Sequence, residues 1–209
     1  MIYLIGGAPR CGKTILSKKI AAKNRVSWIS TDTIRSMVLA CTSKAQRDKK
    51  FPYEKLQSEQ EAAPYTDIAK NSSQKLLRAE ITESRSLWSS TQKMIEHLID
   101  CQENYIIEGV HLMPALVHQL KGTRYWRKIR LIFLVKLNLE EIKSGFHLNT
   151  SSHDWLSSAL KNKPLLEKTA RMVQTKSAYI AGQAKRYKFA MIDTGKDFKK
   201  KLTMLTQNF

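Results

Sequence analysis

The sequence predicts an α/β fold: a three-layer sandwich around a five-stranded, mostly parallel sheet. Three observations carry this expectation. Short apolar runs recur along the chain without alternation, helical stretches separate them, and a glycine-rich loop joins the first run to the first helix. Continuous apolar runs suit strands buried on both faces of a parallel sheet. Strand–helix alternation implies right-handed βαβ units, with ligands bound beyond the carboxyl ends of the strands.

The totals agree. A chain of 209 residues is one domain of ordinary size. Its 42 % hydrophobic and 26 % charged content is that of a soluble globular protein. No apolar run approaches the ~20 residues of a membrane span. The start MIYLIGG has no basic leader, so neither a signal nor a transit peptide is expected. Cys11, Cys41 and Cys101 show no ligand spacing, and an odd, sparse count fits a cytoplasmic location.

In chain order, Ile2–Ile5 is the first strand and Lys13–Lys23 the first helix. Val26–Ser30 and a helix over Asp32–Ala40 follow, and Lys44–Tyr53 reads as a loop. From Thr66 to about Asp100, Leu77, Ile81, Trp88, Ile95 and Leu98 fall at helical spacing with no Pro or Gly inside. Trp88, Leu77 and Trp28 are core candidates. Tyr105–Glu108 and Leu131–Val135 are the third and fourth strands, with Phe189–Ile192 a weaker fifth. Leu148–Ser152 reads as a loop, Ser151 and Asp154 form a Ser-x-x-Asp capping pattern, and Pro164–Tyr187 is the last helix. There is no internal repeat.

The chemistry begins at Gly7-Ala8-Pro9-Arg10-Cys11-Gly12-Lys13-Thr14, which fits G-x-x-x-x-G-K-[ST] between a strand and a helix. The glycines let the backbone fold around an anion, and the amides at the helix start point into it. Lys13 would reach the β- and γ-phosphates and Thr14 would ligate Mg²⁺, with Ile15 completing the nucleotide-binding run. Arg10 is a phosphate-side or surface residue, and Cys11 a small side chain inside the loop. Neither [NT]-K-x-D nor D-x-x-G is present, which excludes a GTPase switch and leaves ATP as the expected triphosphate.

Asp32 and Arg35 follow the second strand at i, i+3 spacing, on one face of the new helix. A carboxylate there suits a general base for an acceptor hydroxyl, and the cation suits an anionic group on that acceptor. The other reading is a helix cap paired with Arg35.

GGAPRCGKT, ISTDTIR and IIEGVHLMP together resemble the small P-loop kinases of the nucleoside-kinase and shikimate-kinase type. In motifs the 2-phosphoglycerate kinase-like group is the most similar, and D-x-x-R also occurs in polynucleotide 5′-hydroxyl kinases. The resemblance runs from Met1 to about Asn138. It implies an ATP- and Mg²⁺-dependent kinase with Lys13, Asp32 and Arg35 catalytic. Glu108 would support the metal with Thr14 and lie at the acceptor side, where His111 and Arg35 would bind the acceptor. Glu108 stands where many P-loop enzymes have Asp, and a lone histidine such as His111 is as ordinary in a core as in a pocket. The resemblance also implies an acceptor-binding insertion at about 41–65 and a helical lid at about 139–165. That lid is poor in arginine, with Lys143 and Arg171 its candidate cations.

Three acceptor readings follow. One is a small anionic metabolite, one a polynucleotide 5′-hydroxyl, and the third a nucleotide-binding regulator with weak transfer. The net charge of +18 favours an anionic partner or a merely basic surface. It lies at the ends of the chain: residues 1–50 hold 11 Lys/Arg against 2 Asp/Glu and residues 151–209 hold 12 against 4.

Overall fold

The computed structural model describes residues 1–58, 66–146 and 162–208. Its centre is a five-stranded sheet of β1 (Ile2–Gly7), β2 (Ser27–Ser30), β3 (Tyr105–Gly109), β4 (Ile129–Val135) and β5 (Met191–Asp193). The strand order is β2-β3-β1-β4-β5 and every pairing is parallel. The sheet is thus wholly, not mostly, parallel.

Apolar side chains cover both faces. On one, α1 (Lys13–Asn24), α8 (Leu139–Phe146) and α10 (Phe198–Asn208) pack Leu16, Ile20, Ile142 and Leu202 against Ile5 and Leu134. On the other, α2 (Thr31–Ala40) and α6 (Ser73–Asp100) set Ile34, Trp88 and Ile95 against Leu4, Ile107 and Phe133. The long helix α9 (Lys163–Tyr187) contributes to both faces. Two strand-rich layers would leave this sheet's helices without a face to bury, so the three-layer arrangement follows from the apolar pattern itself.

The remaining helices are α3 (Lys44–Lys50), α4 (Pro52–Ser58), α5 (Thr66–Lys70) and the short α7 (Pro114–Val117). Here the structure corrects the sequence reading. Lys44–Tyr53 is not a loop but two helices hinged at Phe51, which is fully buried. Helix α3 buries no residue, so it leaves no apolar period to detect. The helix expected from Thr66 is broken at Asn71-Ser72: Asn71 Nδ2 donates to the Asp67 carbonyl, and Ser72 Oγ caps α6 by accepting from the Lys75 amide at 3.2 Å. Leu76, not Leu77, is the buried neighbour, and Trp28 is half-buried. The fifth strand is Met191–Asp193, two residues later at its start than expected. The 41–65 insertion is described only to residue 58, and the lid only through α8 and from residue 162. The Ser151–Trp155 capping pattern and the Leu148–Ser152 loop lie outside the described residues.

Register positions the chemistry. Glu108 pairs with Ile5 on one side and with Ser30 on the other, so the ends of β1, β2 and β3 lie level. The glycine loop, Asp32 and Glu108 therefore share one edge of the sheet. Gly109, at φ 153°, lets Thr31 close on β3: a Cβ there would sit 1.8 Å from Thr31 Oγ1.

Candidate active site

The loop between β1 and α1 has Arg10 at φ 62° and Gly12 at φ 92°, a left-handed alternation that turns successive amides inward. No side chain caps α1, so its first amides face the loop's concavity. Lys13 is buried and folds back, its Nζ donating to the Ala8 carbonyl at 2.8 Å. Thr14 Oγ1 donates to Glu108 Oε1 at 2.9 Å. Gly7 is pressed against β4, where a Cβ would lie 2.1 Å from the Leu134 carbonyl oxygen. Ala8 and Cys11 are fully buried, Pro9 is half-buried, and Ile15 stands exposed on the helix. Arg10 leaves the loop toward α8, over the Phe146 ring and within 3.5 Å of its carbonyl.

Glu108 is 3 % exposed, and burial raises its pKa while Lys13 and the Thr14 hydroxyl pull it back. It lies on the phosphate-loop side, bonded to Thr14. A hydroxyl and one carboxylate at this spacing fit Mg²⁺, which keeps several waters and takes phosphate oxygens for the rest. Among the described residues no cluster of three or more His, Cys, Asp or Glu forms an all-protein metal site.

Asp32 opens α2 and is 71 % exposed at its side chain. Ser30, not Asp32, is the cap: its Oγ accepts from the Asp32 amide at 3.1 Å. The Asp32 carboxylate is left facing the cleft, 3.6 Å from His111 Nδ1. His111 itself is buried, with Nδ1 3.1 Å from Thr31 Oγ1. Burial, with Lys176, Arg35 and Lys13 nearby, holds its pKa well below the usual value, so the ring is neutral at pH 7.

Arg35 is turned to carboxylates. Its Nε donates to Glu83 Oε2 at 2.7 Å and its Nη2 to Glu54 Oε2 at 2.8 Å and Glu83 Oε1 at 3.4 Å. Glu83 is 1 % exposed and Glu54 40 %, so one partner is locked in and the other can exchange with solvent. The Glu54 amide also donates to Glu83 at 2.9 Å, which ties α4 to α6.

The lid candidates are also paired. Lys143 meets Glu140 and Glu167, and Arg171 meets Glu167 at 2.9 Å. Exposed pairs of this kind are weak enough for a stronger anion to displace.

Sequence reasoning missed four groups beside this site, three of them buried. Lys176 on α9 is 2 % exposed; its Nζ donates to the Val110 carbonyl at 2.9 Å and pairs with Glu80. It thereby fixes the segment that carries His111. Tyr53 and Asp67 hydrogen-bond nearby, and burial beside acidic groups pushes the Tyr53 pKa up. Lys136, just after β4, is 6 % exposed over the Phe198 ring, and burial lowers its pKa. A legible signal existed for Lys176: it interrupts the buried stripe Ala170, Val173, Ile180, Ala184. A lysine in such a stripe needs a partner.

A solved shikimate kinase from Bacteroides thetaiotaomicron superposes with a TM-score of 0.52 at 13 % identity, covering 100 % of this chain and 95 % of that one. The chain has the P-loop kinase fold. A shikimate kinase from Aquifex aeolicus, at 12 % identity over 100 % of this chain and 96 % of that one, gives 0.40 and adds no weight. No protein-family model matches the sequence, and no curated relative does. No described helix is long and apolar enough to cross a membrane.

Proposed function

We propose that this protein is an ATP- and Mg²⁺-dependent kinase that phosphorylates a hydroxyl of a small anionic metabolite. One observation carries the reading: register brings the phosphate loop, the Thr14–Glu108 pair and the exposed Asp32 carboxylate to adjacent strand ends. That is the layout an in-line phosphoryl transfer needs, with triphosphate on one side and a base on the other.

In this reading the loop amides and Lys13 hold the β- and γ-phosphates. Thr14 and Glu108 would hold Mg²⁺, which neutralises developing charge on the phosphate oxygens when bound. Asp32 accepts the acceptor hydroxyl's proton as its oxygen bonds to the γ-phosphorus, and the bond to the ADP oxygen breaks. Neutral His111 fixes the Asp32 side of the cleft without adding a competing charge. An anionic group on the acceptor takes the place of Glu54 on Arg35, while Glu83 stays. A cleft of about 440 Å³, lined by Leu137, Asn138, Glu141, Asp193, Lys196 and Lys201 at the ends of β4 and β5, has room for the nucleoside.

A second reading, nucleotide binding with weak transfer, is favoured by the Glu167 pairing of both lid cations. ADP release from Mg-ATP separates the two. The assay runs a panel of hydroxyl acceptors: phosphoglycerates, nucleosides, shikimate-like acids and a 5′-hydroxyl oligonucleotide. Stimulation by an anionic small molecule, abolished by Lys13→Ala and reduced at least 100-fold by Asp32→Asn, supports the kinase. A flat panel with intact nucleotide binding supports the regulator.

A further inference from the structure

The cations of the candidate active site lie at the carboxyl ends of the strands, but much of the charge excess lies at the opposite end. Two segments meet there. Residues 118–130 carry Lys121, Arg124, Arg127, Lys128 and Arg130, and residues 185–190 carry Lys185, Arg186 and Lys188; neither contains an acid. Contacts weld them together. Lys121 Nζ donates to the Tyr187 carbonyl at 3.1 Å and lies 5.1 Å from the Phe189 ring centroid. The rings of His118 and Tyr187 are 4.4 Å apart and those of Trp126 and Phe189 5.8 Å.

Arg124 is neutralised by Asp100 at 2.9 Å. The other seven cations have no carboxylate within salt-bridge reach among the described residues. The amino terminus lies at the same end, its pKa depressed by burial and then by the nearby Lys128. The negative end of the α9 dipole accounts for Lys185, Arg186, the capping Lys188 and Lys121, which takes the Tyr187 carbonyl, but not for Arg127, Lys128 and Arg130. By contrast, Arg35, Lys143, Arg171 and Lys176 at the other end are each matched to a carboxylate. Like charges gathered without counter-charge repel one another, so the face gains most from a polyanion.

The interleaved rings narrow the partner. His118, Trp126, Tyr187 and Phe189 are half-buried and alternate in sequence with the exposed cations. Bases of a single strand stack on such rings while lysines and arginines track the backbone. An anionic bilayer would instead call for protruding aliphatic or aromatic anchors. Among the described residues the large hydrophobic side chains that protrude are Ile15, Met37, Leu137, Met191 and Met204, and of these Met191 alone borders either segment.

We propose that this face, at the amino-terminal end of the strands, binds single-stranded nucleic acid. It is separated from the phosphate loop by the length of β1, six residues or roughly 20 Å. A strand held there is not the phosphoryl acceptor, and its binding is independent of the kinase reading.

The test is fluorescence anisotropy of a labelled 12-nucleotide oligouridine with the full chain, from 25 to 250 mM salt. Four to seven neutralised phosphates give a log–log salt slope of roughly −3 to −5, at about 0.7 counterions per phosphate. Combined Arg127→Glu, Lys128→Glu and Arg130→Glu substitutions should weaken binding at least tenfold, and Lys185→Gln with Arg186→Gln severalfold. Lys44→Glu with Arg47→Glu, on α3 near the other end, should change it less than twofold. Circular dichroism checks that each variant is folded. Saturating Mg-ATP should leave the affinity unchanged. Absence of binding at 25 mM salt would overturn the proposal. So would loss on the α3 variant alone, competition by Mg-ATP, or sedimentation with phosphatidylserine vesicles that the oligonucleotide does not reverse.

Discussion

Replacing Glu83 by alanine tests the packing that presents Asp32. Glu83 is buried on α6, and three bonds end on its carboxylate: Arg35 Nε at 2.7 Å, Arg35 Nη2 at 3.4 Å and the Glu54 amide at 2.9 Å. Removing one member of a buried ion pair costs about 3–5 kcal/mol, because the other charge is left without compensation. Here Glu54 still holds Arg35 Nη2 and the guanidinium is 17 % exposed, so the lower figure of about 3 kcal/mol applies. For a chain of this size each kcal/mol moves Tm by about 2–4 °C, giving a fall of about 6–12 °C by thermal circular dichroism. Glu54→Ala, removing an exposed partner, should cost only about 0–1 kcal/mol. If Glu83→Ala lowered Tm by less than Glu54→Ala did, α2 would not be held as described. The role of Arg35 as a shared anchor would then fall with it.

Two further outcomes follow from buried titratable groups. His111 has a depressed folded pKa, so below about pH 6.5 the unfolded chain takes up a proton that the folded one refuses. Its share of stability is intact at pH 7 and falls toward pH 5 by at most about 1.4 kcal/mol per pH unit. His111→Gln should flatten that limb in urea unfolding, and an unchanged slope would show that the ring is not kept neutral. Glu108 has a raised folded pKa: stability falls as pH rises from the ordinary carboxylate value through the folded one, and the cost is complete above it. Glu108→Gln should therefore leave Tm at pH 7 unchanged or higher while weakening Mg²⁺-dependent nucleotide binding at least tenfold. A clear fall in Tm would mean that attraction to Lys13 outweighs the burial.

What was legible in the sequence is placement that is set locally. A loop of Gly7 to Thr14 between a strand and a helix is a backbone device, and its neighbours in sequence are its neighbours in space. The same holds for Asp32 after β2 and Glu108 at the end of β3, because parallel register levels the strand ends. What could not be read was the set of partners supplied from afar. Arg35 meets Glu83 across 48 residues, and Lys176 meets the Val110 carbonyl across 66. Nothing in the spacing of Asp32 and Arg35 distinguishes a guanidinium that waits for an acceptor from one already clasped by α6. The distinction matters for mechanism. If the proposed kinase reading holds, an arginine with one locked and one exchangeable carboxylate would discriminate by charge, since an acceptor would have to out-compete Glu54 to reach it. A dianionic acceptor would do so; a neutral one would leave the Glu54 contact in place and gain nothing from Arg35. On the proposed reading, the Arg35–Glu54 contact would link acceptor selection to α4, a link that lies in side-chain contacts and not in any motif.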